Sequence, residues 1–243
     1  MSESTSILPS LIGTFTGAGL AFLSNWWFQH KTQTRDELCA GRLALFTIRS
    51  QMDDFLNYRY AIRHSINQIH QALGDSPEWA LARPMGFSIT ESNTFDFKSL
   101  AFLLSTETGR EAFVHLQFAE QTYLDFIGRL TDFNQSAQEI QRTLAPFHQT
   151  HGNATLGVME VHLGPELCVR MRDHQRAIVL RLDRDENRYR KTFQLLRDEM
   201  TKRFDSKAAV LNLDVLERLT PEKLPPLPIA LTEYLKTVPN ADL

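Results

Sequence analysis

The chain has 243 residues, 42% hydrophobic and 23% charged, with a formal net charge of -3. These values allow one good-sized core, exclude wholesale disorder and give no global pull toward nucleic acid. The two cysteines, Cys39 and Cys168, are too far apart for a disulfide framework or a zinc finger, which fits a reducing compartment.

Ile7 to Phe28 is an uncharged run of 22 residues. As a helix it would extend about 33 Å, close to the thickness of a hydrocarbon core, and this predicts one N-terminal transmembrane anchor over residues 1–30. Pro9 falls in the first turn, where its missing N–H costs nothing. Trp26 and Trp27 close the run as interfacial anchors, followed by Lys31 and Arg35. A signal peptide would need a basic start and a small-residue cleavage site, and neither is present. A buried core helix would be shorter and would rarely lack charge for this long. No Lys or Arg precedes the run, whereas His30, Lys31, Arg35, Arg42 and Arg49 follow it. The positive-inside rule therefore predicts a single-pass inner (plasma) membrane protein with its N-terminus outside and the rest cytoplasmic.

Gly13, Gly17 and Ala21 form a small ridge at four-residue spacing, beside a second ridge of Ser10, Thr14 and Ala18. Small residues four apart let two helices approach closely, so this face predicts a homo-oligomer.

Residues 31–205 read as a helical bundle. Lys31 to Leu73 is one long helix with Gly41 its weak point, and the membrane helix is expected to run straight into it. Its apolar seam from Leu45 through Ile48, Met52, Phe55, Ile62, Ile66 and Ile69 is interrupted at Arg59. Gly74, Asp75, Ser76 and Pro77 stop it. A mixed connector leads to a short apolar helix over Thr94–Leu104.

The second long helix is expected from Glu107 to Ala145, capped by Thr106 and ended by Pro146. Its stripe of Leu116, Ala119, Tyr123, Phe126, Leu130 and Phe133 has no gap. The third is expected from Pro165 to Phe204, with an apolar face including Met171, Ile178, Leu182, Tyr189, Leu196 and Met200. Residues 206–243 form a tail with short helices near Leu213–Leu219 and Ile229–Val238 around a Pro-rich stretch. The fold class is thus all-α: a membrane helix, then an elongated antiparallel bundle of three long helices.

Arg59, placed in a seam, needs an acidic partner if it is buried. Glu120 or Asp125 on the facing antiparallel helix are the candidates, and the alternative is that Arg59 snorkels from the bundle edge. His148, His151, Glu160, His162 and Cys168 fall close together but lack zinc-site spacing, and a polar connector is the better reading. Asp183 to Asn187 resembles the opening of a calcium loop but carries Arg188 where glycine is required. Basic and acidic residues interleave along helix three, so no specific nucleic acid is expected.

No catalytic signature is present, so no enzyme activity, cofactor or metal is expected. The sequence predicts a membrane-anchored scaffold or adaptor whose partners are membrane lipid, its own copies and an unidentified protein. The alternative is an oligomerising effector that permeabilises the bilayer when triggered, with hydroxyl-bearing positions lining a wet path.

Overall fold

A computed structural model of the chain describes residues 7–74, 76–81, 83–84, 93–152, 154–204 and 224–238, the side chains of 7–16 and of His151 apart. Among the described residues the ordered elements are helices: α1 (Ile7–Leu73), α2 (Glu107–His151), α3 (Leu156–Leu163), α4 (Pro165–Arg184), α5 (Glu186–Phe204) and α6 (Ile229–Thr237). Two short 3-10 turns, Glu78–Leu81 and Ala101–Ser105, lie between α1 and α2.

α1 is continuous from the apolar run into the bundle, as the lack of a breaker predicts. It stops at Gly74, whose φ of 69° suits glycine and whose N–H donates to the His70 carbonyl at 2.8 Å. Gly41 proves to be a notch: a Cβ there would sit 2.2 Å from both the Sδ and the Cε of the fully buried Met200.

The expected seams form the core. Leu45, Ile48, Met52 and Phe55 of α1 are buried with Leu116, Phe126 and Leu130 of α2 and with Met171, Ile178, Leu196 and Met200 of α4 and α5. Phe55 sits at the centre, its ring 4.5 Å from that of Phe126 and 4.9 Å from that of Tyr189.

The directions of the helices differ from expectation. Gln51 bonds Glu120 and Asp54 bonds Tyr123, so α1 and α2 advance together and are parallel. α5 and α4 run against both. Arg203 pairs with Glu37 while Arg59 pairs with Asp183, and Thr106 meets Glu199 while Ser136 meets His174. The cause is the connector after Leu73. Its first 3-10 turn stays at that end, where Glu78 pairs with Arg176, and its second lies at the other end, where Ser105 accepts from Arg203. The chain thus crosses back along the bundle before α2 begins, and a crossover restores the direction that a tight turn would reverse.

Three further boundaries shift. The apolar segment expected as a helix over Thr94–Leu104 forms turns and the 3-10 stretch Ala101–Ser105. α2 continues through Pro146 to His151, because Phe147 is buried and stacks on His162 of α3, centroids 4.5 Å apart. Those contacts outweigh the hydrogen bond that proline removes. The third long helix divides at Asp185 into α4 and α5. The helix expected near Leu213–Leu219 lies outside the described residues, whereas the one expected at Ile229–Val238 is present as α6.

The transmembrane helix expected over Ile7–Phe28 finds no structural support: among the described residues no helix is long and apolar enough to cross a membrane. The side chains of Ile7–Thr16, Gly13 included, lie outside those residues.

Candidate functional site

The buried seam of α1 begins only near Gly41 and Ala44. From Gly17 to Asp36 every residue of α1 is exposed, so this part projects as an arm from the bundle. Its backbone is satisfied by the helix, and the hydroxyls of Ser24 and Thr34 turn inward to it. Ser24 Oγ donates to the Leu20 carbonyl at 2.7 Å, and Thr34 Oγ1 to the His30 carbonyl at 2.9 Å.

The arm carries Leu20, Phe22, Leu23, Trp26, Trp27 and Phe28, each more than half exposed. At about 100° per residue five of these six positions fall within an arc of roughly 160°, and Phe28 stands outside it. The aromatic run ends in cations. Lys31 Nζ lies 5.0 Å from the centre of the Trp27 ring, and Trp26 stacks on His30 at 5.9 Å. Arg35 follows one turn later and is exposed. Of the small ridge, Gly17 and Ala21 are exposed, and nothing lies within 4 Å of where a Cβ on Gly17 would stand. Gly13 falls outside the described side chains.

Below the arm, α1 keeps one outward face over the bundle. Cys39, Leu43 and Phe46 are exposed there, with Leu43 60% and Phe46 59% accessible. Beside them an open cleft of about 280 Å3 separates α1 from the returning connector, lined by Asp36, Cys39, Leu43, Phe95 and Ser99 among others.

Arg59 is buried, and its partners are neither Glu120 nor Asp125. Its Nη2 lies 3.0 Å from Asp183 Oδ1 and its Nη1 2.7 Å from Glu186 Oε2. Arg63 shares Asp183 and Arg190 shares Glu186, which makes a network of three guanidiniums and two carboxylates beside the Asp185 break. The parallel course of α1 and α2 explains the correction. Because they advance together, Arg59 faces the antiparallel α4 and α5 instead. Glu120 accepts from Gln51 Nε2 at 3.2 Å, and burial pushes its carboxyl above the usual range. Asp125 pairs with Arg129 and Arg181, each at 3.0 Å.

A second polar group was not foreseen from the sequence. Asn93, buried at the end of the connector, donates to Asp54 Oδ2 at 2.8 Å, and its carbonyl accepts from Gln51 Nε2 at 2.6 Å. Tyr123 also donates to Asp54, and burial raises its phenol well above the ordinary range. Tyr123 in the apolar stripe was the available signal, but nothing in the sequence pairs it with an Asn of the connector 30 residues earlier.

The histidines and Cys168 do not converge. His162 stacks on Phe147, His148 Nδ1 is 3.4 Å from the Gly152 carbonyl, and Cys168 is buried with its thiol pushed up by desolvation. Among the described residues no three His, Cys, Asp or Glu side chains gather as a metal site would require. Asp183, at the head of the calcium-like stretch, is taken by Arg59 and Arg63.

The arrangement therefore offers an apolar arm with a cationic-aromatic collar above a bundle joined by half-buried ion pairs, and comparison with family models, curated proteins and solved structures returns no match.

Proposed function

We propose that this chain is a membrane-anchored helical protein whose bundle, on the cytoplasmic side, acts by self-association and by contact with a protein partner. One observation carries the reading: the large apolar side chains from Leu20 to Phe28 stand exposed on a projecting helix that nothing in the bundle covers. Solvent water penalises such a surface by roughly 25 cal/mol per Å2. One protein groove would cover a narrow stripe, whereas lipid covers the broad arc and Phe28 together. The sequence extends the uncharged run back to Ile7, which supplies the length for a span. Lys31 and Arg35 directly after the tryptophans support the orientation. The inward bond of the Ser24 hydroxyl favours anchoring over a wet path through the bilayer.

The test is fractionation of the full-length protein from membranes, followed by alkaline carbonate extraction. The anchored protein stays in the pellet, and the double substitution Leu20→Arg with Leu23→Arg releases it. Wild-type protein found wholly in the carbonate supernatant overturns the proposal. For the self-association part, Gly17→Leu lowers the mass measured in mild detergent by light scattering, and an unchanged mass removes the small-residue face from the account.

A further inference from the structure

The outward face of α1 is a single stripe that continues from the arm onto the bundle. Phe28, Thr32, Arg35, Cys39, Leu43 and Phe46 follow one another in steps of 4, 3, 4, 4 and 3. The mean step is roughly 3.6, the pitch of an unsupercoiled α-helix, so the stripe stays on one side of α1 instead of drifting around it. Going back by 4, 3 and 4 residues from Phe28 reaches Ser24, Ala21 and Gly17, so the small ridge belongs to the same side. Opposite this stripe Leu45, Ile48 and Met52 face the core. The bundle leaves this stripe of α1 uncovered except where Cys39 and Leu43 look across the open cleft toward Phe95 and Ser99.

We propose that this stripe is the seam on which a second copy of the chain docks, with the two α1 helices parallel and in register. The inference rests on the anchored reading above, since two copies fixed in one membrane sheet present α1 in the same direction. Three features select this occupant. Leu43 and Phe46 stand exposed on the bundle where lipid does not reach, next to the Cys39 position, so an apolar cover is needed there. The charges complement each other only in the parallel arrangement. Arg35 forms one edge of the stripe and Asp36 lies just beyond the other edge, both exposed. In a parallel twofold pair opposite flanks meet, which sets each Arg35 against the partner's Asp36, whereas an antiparallel pair would set like flanks together. The length also suffices. From Gly17 to Phe46 the helix extends about 45 Å, and a helix pair in contact over that distance covers on the order of 800 Å2 per copy, as stable specific interfaces do.

Cys39 in the seam makes the geometry directly readable, while Cys168 is buried in its own bundle and serves as the silent control. Full-length protein in its membranes is oxidised with copper phenanthroline and run without reductant. The expected result is a dimer band from wild type and from Cys168→Ser, and its loss in Cys39→Ser. In the Cys39→Ser background, Leu43→Cys and Phe46→Cys restore the band, whereas Val114→Cys, exposed on α2, does not. The separate change Phe46→Arg reduces the detergent-solubilised assembly to about half its mass while leaving the helical circular dichroism unchanged.

Absence of a dimer at positions 39, 43 and 46 overturns the seam, as does equal crosslinking at position 114. So does crosslinking into an adduct of a different mass, which would make the partner another protein. Carbonate extraction of the same samples separates the two proposals. Crosslinks at 43 and 46 in a carbonate-soluble protein keep the seam and overturn the anchor. A carbonate-resistant protein without crosslinks does the reverse.

Discussion

Arg59 and Asp183 come from residues 124 apart in sequence and meet through two guanidinium nitrogens, Nε at 3.1 Å and Nη2 at 3.0 Å from the same carboxylate oxygen. The pair is not isolated. Arg63 Nη2 donates to both oxygens of Asp183, at 2.7 and 2.9 Å, and the buried Arg63 Nε has no hydrogen-bond partner. Loss of the arginine and loss of the aspartate are therefore unequal. Arg59→Met leaves Asp183 with Arg63 and Glu186 with Arg190, and apolar volume replaces the stem, so a cost of about 1 kcal/mol is expected. Asp183→Ala leaves Arg63 without a carboxylate in a largely buried position, and about 3 kcal/mol is expected. Urea unfolding followed by circular dichroism measures both, and equal losses would contradict the shared-carboxylate account.

Glycines in α2 give a contrast of opposite sign. At Gly109 a Cβ would stand 2.1 Å from the Leu103 carbonyl oxygen and 2.6 Å from Thr106 Oγ1. The first is backbone, which cannot swing aside, so Gly109→Ala forces the Ala101–Ser105 turn away from the helix start. A loss of about 2–3 kcal/mol is expected, in the range of overpacking. At Gly128, exposed in mid-helix, nothing lies within 4 Å, and Gly128→Ala gains about 0.5–1 kcal/mol of helix propensity. Thermal unfolding of the two variants should move the midpoint in opposite directions.

Much of this fold is legible in the sequence because apolar periodicity is a local signal. The steps from Leu116 to Phe133 place one face of α2 in the core, and the Gly74–Pro77 stop ends α1 at the expected residue. Thr106 caps α2 as its position suggests, accepting from the Gly109 N–H at 3.0 Å. Helix direction is not local. Whether α2 runs with or against α1 depends on the connector crossing back, and no pattern within either helix records that. The partner of Arg59 was misassigned for this reason alone. Asp183 was visible in the sequence, but as a rejected calcium-loop residue, because its charge carries no mark of which helix it will face. The arm was legible as an uncharged run. That its large side chains are exposed needed the structure, since the same composition also suits a buried helix.

The start of α2 is more strongly built than a cap alone. Thr106 Oγ1 also donates to Glu199 Oε1 at 2.7 Å, and Thr108 Oγ1 donates to the other oxygen. Glu199 is only 2% exposed, so these two hydroxyls are what its carboxylate has in place of water. Thr106→Ala thus removes a cap, worth about 1 kcal/mol, and half of the solvation of a buried carboxylate. A total of about 2–3 kcal/mol is expected. Thr106→Ser, which keeps the hydroxyl, should recover most of it. If Thr106→Ala in a Glu199→Gln background costs as much as in wild type, the coupling is absent.

Asp185, at the α4–α5 break, should make stability depend on acid in an unusual direction. The residue is 4% exposed, Oδ2 accepts no hydrogen bond, and the nearest Arg181 nitrogen lies 3.6 Å away. Burial raises its pKa above the ordinary value, and Arg181 and Arg188 oppose that rise without cancelling it. The native state consequently holds the proton more tightly than the unfolded chain. As pH falls through the native pKa the folded state gains a proton first, so this group's contribution to stability improves toward acid. It is complete below the unfolded value of about 4 and is lost at neutral pH. Most paired carboxylates act in the opposite sense, so a difference experiment isolates this one. Asp185→Asn removes the ionisation, and at pH 7 the variant should be more stable than wild type by about 1 kcal/mol, the scale of one unsatisfied buried group. Urea titrations at pH 7 and pH 4 should show that advantage shrinking toward acid. An advantage that stays constant would mean the gain is one of packing, and an Asp185→Asn variant less stable at pH 7 would mean that Arg181 and Arg188 outweigh desolvation at the break.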